Sequence, residues 1–467
     1  MKKIFTIALS AIGITSSYAN IKLPSVISSN MVLQQKSAAK LWGWCSPGEK
    51  IYITTSWDNK TDSTKGTRDA NWQLAIQTPA AGGPFTITIK GSNTITLDNV
   101  MSGEVWVCSG QSNMEWGYQQ GLQQVKDELP ACYNKNIRFF NIPKTTSLHP
   151  QDDCNAKWEI CDSNSLKYFS AIGYFFGKKL NQDINVPVGL VNSNWGGTPA
   201  EVWTPEELVT GSSSLQTAAN KINPSDWWPY KPGYTYNAMI APLVNFPIAG
   251  AIWYQGESNT GTASTYSQLF TTMIDGWRKA WNKEFPFYYV QIAPFKYGDK
   301  NVGALLREAQ ANSITHNKVG MVVVTDLVAD TNNIHPIDKK NVALRLANWA
   351  LAETYAQSVN GYKSPMFKSL NVNNGKAFVT FQYADNGLVS KDKKITELTV
   401  AGDDKVFYPA EAKIENGQLV VWSPSVKNPV AVRYGFSNTA MGNLFSKDGL
   451  PVCPFRTDSW DVDTSHN

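Results

Sequence analysis

Hydrophobic and polar positions change rhythm twice along the chain. From about Asn20 to Ser102, short runs alternate apolar and polar residues, as in Ile51-Tyr52-Ile53-Thr54-Thr55 and Phe85-Thr86-Ile87-Thr88-Ile89. Turn residues at Pro47-Gly48 and Gly82-Gly83-Pro84 separate them. Such period-two alternation predicts half-buried strands of a β-sandwich element over residues 20–102. From residue 103 to 355 the apolar runs become continuous: Val105–Cys108, Val186–Val191, Gly250–Tyr254, Phe287–Ile292 and Met321–Val324. Between the third and fourth, Tyr266, Phe270, Met273, Trp277 and Trp281 fall on one helical stripe. Alternation of this kind predicts an α/β domain, a parallel sheet with helices on both faces. Beyond residue 356 the β pattern returns, as in Lys376–Phe381 and Gln418–Trp422, and predicts a C-terminal β-rich domain over 356–467. No internal repeat or low-complexity linker interrupts this order.

Open α/β sheets bind ligands beyond the carboxyl ends of their strands, so the residues after each run are the ones to inspect. After Glu104–Cys108 comes Ser109-Gly110-Gln111-Ser112-Asn113-Met114-Glu115. A serine at a strand-to-helix turn exposes its hydroxyl at the sheet mouth, where helix N–H groups can meet an oxyanion. The alternative is a helix cap, since Ser112 and Glu115 have capping-box spacing. The sequence contains four histidines. His466 lies in the polar tail, His149 in a polar loop before Pro150, and His316 in a turn. His335 remains, on a loop between the run Met321–Val324 and a helix with Val342, Leu346 and Trp349 on one face. That position suits a general base; the alternative is a helix-entry residue before Pro336.

Gly110-Gln111-Ser112-Asn113-Met114, Trp195-Gly196-Gly197-Thr198-Pro199-Ala200-Glu201-Val202-Trp203, Trp253-Tyr254-Gln255-Gly256-Glu257-Ser258-Asn259 and Ile334-His335-Pro336 follow one another in this order. Together they resemble the sialate O-acetylesterase family of SGNH-type hydrolases. Leu41-Trp42-Gly43-Trp44 near the start and Pro454-Phe455-Arg456-Thr457-Asp458 near the end extend the likeness over nearly the whole chain. The resemblance implies an SGNH-hydrolase-like domain whose β-rich ends form a β-sandwich. It implies a carbohydrate O-acetylesterase in which Ser112 attacks an acetyl ester and His335 takes its proton. The oxyanion would be held by the Ser112 N–H, a backbone N–H of Gly196 or Gly197, and the Gln255 amide. Gln255 as a loop brace is the equal alternative. Glu257 and Asn259 would support the site, with Glu257 as a buried brace rather than a second acid. For Trp195, Trp203 and Trp253, core packing is favoured over sugar stacking.

The chain departs from the family where an acidic residue usually precedes the histidine: Asn332 and Asn333 stand there. Neither can carry a negative charge, so a Ser–His dyad is preferred, with Asp330 or Asp326 as possible third members. The second glycine of a G-x-S-x-G elbow is absent, as is H-E-x-x-H, which disfavours an α/β-hydrolase and a zinc hydrolase. No metal or other cofactor is expected. Residues 1–19 read as a signal peptide, with Lys2-Lys3, an apolar run from Ile4 to Ile14 and Ser17-Tyr18-Ala19. This predicts a secreted or periplasmic enzyme with no membrane span. Without those two lysines the formal charge falls from +4 to +2, which does not point to nucleic acid. Among six cysteines, Cys154 and Cys161 are the nearest candidates for a disulfide. The expected partner is an O-acetylated sugar or glycan. The alternatives are an acetylesterase for xylan or another plant polysaccharide, and an inactive carbohydrate-binding protein.

Overall fold

The computed structural model describes residues 20–466; the predicted signal segment lies outside them. The continuous apolar runs form one sheet, in the order Val319–Val322, Phe287–Val290, Gly250–Tyr254, Thr94–Gly110, Val188–Asn194, Asn134–Asn141 and Trp158–Cys161. Neighbours are parallel throughout except in the last pair. Alternate residues of the central strand feed opposite faces: Val105 and Val107 enter one core, Trp106 and Cys108 the other. Burial on both faces is why these strands read as unbroken apolar runs. The helix Ala263–Trp281 buries the whole predicted stripe, and Lys339–Trp349 buries Val342, Leu346 and Trp349. Two strands of the sheet, Asn134–Asn141 and Trp158–Cys161, were not predicted. In the first, Arg138 interrupts the apolar run, yet its side chain is buried and donates to Asn99 Oδ1 at 3.2 Å.

The central strand Thr94–Gly110 is 17 residues long and serves two regions. Its first half pairs antiparallel with Gly82–Lys90, and its second half pairs in parallel with Val188–Asn194. The predicted boundary at residues 102 and 103 therefore falls inside a strand. Leu41, Ile51, Trp72 and Ile87 of the N-terminal strands share a core with Trp253 and Phe270. The C-terminal region instead builds two four-stranded antiparallel sheets around its own core, which includes Val379, Val400, Leu419 and Val432. The two β-rich ends build separate sheets, and most apolar side chains of the C-terminal region fill its own core, while Cys453 and Met366 meet the core that holds the N-terminal strands. The C-terminal region is also fastened to the helix Val302–Asn312. There Arg456 grips Glu308 with two bonds of 2.6 and 2.8 Å.

All six cysteines are free and buried. Cys154 packs into the core shared with the N-terminal strands and Cys161 into the opposite one, where its thiol donates to Cys132 O. The expected Cys154–Cys161 bond does not form for that reason. No helix among the described residues is long and apolar enough to cross a membrane.

Candidate active site

Ser112 opens a single helical turn, Ser112–Glu115, at the end of the central strand. Gly110 makes the approach possible. Its φ is +137°, and a Cβ there would lie 2.2 Å from the Tyr254 carbonyl oxygen. Gln111 then ties the turn to the next strand end: its N–H donates to Tyr254 O at 3.0 Å, and its Oε1 accepts from the Gly256 N–H at 3.1 Å. No capping box forms. Gln111 is the N-cap, and Glu115 turns away to accept from the Gly196 N–H at 2.7 Å and from Lys144 Nζ at 2.7 Å. Ser112 Oγ is left for His335 Nε2, 2.8 Å away. One turn sums few peptide dipoles, so free N–H groups matter more here than the helix-end potential expected from the sequence.

The His335 ring stacks on Trp116, centroids 4.2 Å apart and planes 21° from parallel. Among the described residues no carboxylate bonds its second ring nitrogen. Asp330, the suggested third member, accepts from the Asn332 main chain at 2.8 Å and side chain at 2.9 Å. Its carboxylate is held within its own turn, so that expectation is corrected. Asp326 is equally committed, to Arg345 at 2.8 and 2.7 Å. Burial, reinforced by the Lys339 charge, pushes the His335 imidazole down to about 4 from its usual 6.5. A neutral ring can accept a proton; a protonated one cannot. The acid limb of kcat/KM is therefore expected near pH 4, with activity present above it and lost as pH falls through it. Rates of acetate release between about pH 3 and 8 test this, and a limb near 6.5 would mean a solvated ring.

Beneath the pair lies a buried polar chain that sequence reasoning caught only in part. Asn113 Nδ2 donates to Glu257 Oε1 at 2.6 Å and to the Ile334 carbonyl at 3.0 Å, while its Oδ1 accepts from Lys339 Nζ at 2.5 Å. Glu257 is the brace expected of it, and burial pushes its carboxyl up. Burial pushes the Lys339 amine down to about 7. Asn113 and Lys339 were missed; Lys339 opens the helix that follows the His335 loop.

The three expected oxyanion donors fare differently. The Gly196 N–H is taken by Glu115, which corrects that half of the expectation. Gly197, at φ +81°, has an N–H without a hydrogen bond among the described residues, as does Ser112. Gln255 is fully buried and spends its amide on Asn259 Oδ1 at 2.7 Å and Thr198 O at 3.3 Å, while its Oε1 accepts from Tyr266 at 2.9 Å. Of its two readings, this geometry is that of the loop brace. Asn259 extends the brace, accepting from the Ala200 N–H at 2.9 Å and donating to Glu201 Oε2 at 2.8 Å. Trp203 and Trp253 are core residues in edge contact, and Trp195 is half-buried against the same core. His316 and His466 pair with Asp275 and Asp299, away from the site.

The family described as carbohydrate esterase, sialic acid-specific acetylesterase, matches residues 102–357. The chain is 28% identical to sialate O-acetylesterase of Homo sapiens, over 82% of this chain and 81% of that one. To the sialate O-acetylesterase of Pongo abelii it is 27% identical, over 95% and 94%. A solved carbohydrate acetylesterase of Xanthomonas citri superposes with a TM-score of 0.86 at 34% identity, covering 94% of this chain and all of that one. The matched region runs from the strand that carries Ser112 past the loop that carries His335. The chain belongs to the sialic acid-specific acetylesterase family of carbohydrate esterases, and is a carboxylic ester hydrolase.

Proposed function

We propose that this esterase is an exported serine enzyme that removes O-acetyl groups from carbohydrates, with Ser112 as nucleophile and His335 as its base. The observation that carries the reading is the 2.8 Å contact between Ser112 Oγ and His335 Nε2. His335 takes the hydroxyl proton as Ser112 bonds to the acetyl carbon, and the carbonyl oxygen becomes an oxyanion. The free N–H groups of Ser112 and Gly197 are its donors in this scheme. Collapse expels the sugar alkoxide, which takes the proton from His335. Water, deprotonated by the same imidazole, then releases acetate and restores Ser112. Trp116, rather than a carboxylate, fixes the plane of the imidazole. Export rests on the character of residues 1–19, which suit a secreted or periplasmic destination.

The acetylated sugar has two candidates, a sialic acid and a neutral polysaccharide such as xylan. The match to the sialic acid-specific family and to sialate O-acetylesterases favours the sialic acid, with a neutral polysaccharide as the alternative. Acetate release from ethyl acetate, O-acetylated sialic acid and acetylated xylan, by wild type and Ser112→Ala, tests both points. Release by wild type that disappears in the variant is expected. Equal release by the two proteins would remove Ser112 from the chemistry, and a preference for acetylated xylan would reverse the substrate order.

A further inference from the structure

The motif Leu41-Trp42-Gly43-Trp44 takes no part in the esterase site. It ends the strand Ala38–Trp44, which pairs antiparallel with Asn71–Gln77 so that Trp42 faces Gln73, Gly43 faces Trp72 and Trp44 faces Asn71. Directly opposed residues share a sheet face, so Trp42, Trp44, Asn71 and Gln73 lie on one side and Trp72 on the other. Burial follows the same division: the first two are half-buried, Asn71 and Gln73 are exposed, and Trp72 is buried. Gly43 lets the strand lie against the chain at Lys22, since a Cβ there would stand 2.1 Å from the Lys22 carbonyl oxygen. Asp69, Asp152 and Asn245 help to complete a cleft of about 370 Å³ around these residues. Trp72 borders the cleft as well, and its indole N–H, buried on the other face beside Gly43, has no acceptor among the described residues.

We propose that this cleft is a second saccharide site, apart from Ser112 and His335, that holds a neutral oligosaccharide. A pyranose has an apolar C–H face and a rim of hydroxyls. Indole rings match the first, and amide and carboxylate groups match the second. The carboxylates of Asp69 and Asp152 accept from sugar hydroxyls and repel a sialate carboxylate, which selects neutral sugars. The inference rests on the reading that the substrate is a glycan.

Calorimetric titration of the full chain with unacetylated β-1,4-xylohexaose tests it, with a sialylated trisaccharide as the anionic comparison. Xylohexaose is expected to bind wild type, and Trp44→Ala to weaken it about five- to tenfold. Gln73→Ala, at an exposed position that does not threaten folding, is expected to weaken it about threefold or more. No heat with xylohexaose, affinity unchanged in both variants, or tighter binding of the sialylated sugar would each overturn the proposal. Acetate release from ethyl acetate by the same wild-type preparation reports separately on the esterase reading. Its failure beside variant-sensitive xylohexaose binding would sink that reading and leave the cleft standing.

Discussion

Ser112→Ala and His335→Ala are each expected to lower kcat by about 10⁴-fold or more, and the double variant by no more than the worse single one. The two groups are 2.8 Å apart and in the proposed mechanism perform one proton transfer, so removing either leaves the other without a task. A hydroxyl with no base is a weak nucleophile, and a base with no hydroxyl has nothing to activate. Residual rate over water would come from the oxyanion donors and from substrate positioning. Asp330→Asn is the companion measurement. Its carboxylate serves only its own turn, so the change is expected to alter kcat by less than about twofold. A loss as severe as that of His335→Ala would restore Asp330 as a third member. Single losses that multiply in the double variant would mean that the two residues act independently.

Asn113→Ala is expected to cost about 10² in kcat, although Asn113 carries no chemistry. Its amide fixes the histidine loop at the Ile334 carbonyl, next to His335 in the chain, and is itself held by Glu257 and Lys339. Without it the imidazole loses its register on Ser112 Oγ, and a displacement of about 1 Å is enough for a loss of that size. A positioning defect lowers kcat more than it raises KM, which separates it from a binding defect. Lys339→Met supplies the readout that a purely structural role would not move. The Lys339 charge is one of two causes that keep His335 deprotonated, so removing it is expected to raise the acid limb of the pH profile. Circular dichroism on both variants confirms that the fold survives. An Asn113→Ala enzyme with wild-type kcat would dismiss the tether.

What the sequence disclosed and what it hid follow from one distinction. Burial on both faces writes itself into the chain as unbroken apolar runs, and Gly250–Tyr254 was legible to the residue. Asn134–Asn141 was not, because a buried arginine breaks the run in a way only tertiary pairing explains. Ser112 and His335, which the fold brings within 2.8 Å, were singled out because ordered motifs name the residue types a reaction needs. Competition for a donor is not written there. Gly196 and Gln255 had the right chemistry for an oxyanion, but Glu115 and Asn259 reach them first. Asn113 and Lys339 escaped notice because a brace is recognised by its partners, and these come from segments more than two hundred residues apart. The cysteines teach the same lesson: Cys154 and Cys161 are close in sequence and separated by the fold.

The strand Thr94–Gly110, which leads into the Ser112 turn, ties that turn to the first hundred residues. Its amino half is held by Gly82–Lys90 and its carboxyl half by Val188–Asn194, so neither region can melt while the other keeps its hydrogen bonds in place. The N-terminal strands and the esterase sheet are therefore expected to unfold as one cooperative unit. A chain shortened to begin at residue 103 would sever that strand at its middle and lay bare the core side chains packed by Leu41, Ile51 and Ile87. Such a chain is expected to fail to fold, which would make the N-terminal strands a folding requirement of the esterase rather than an appendage to it.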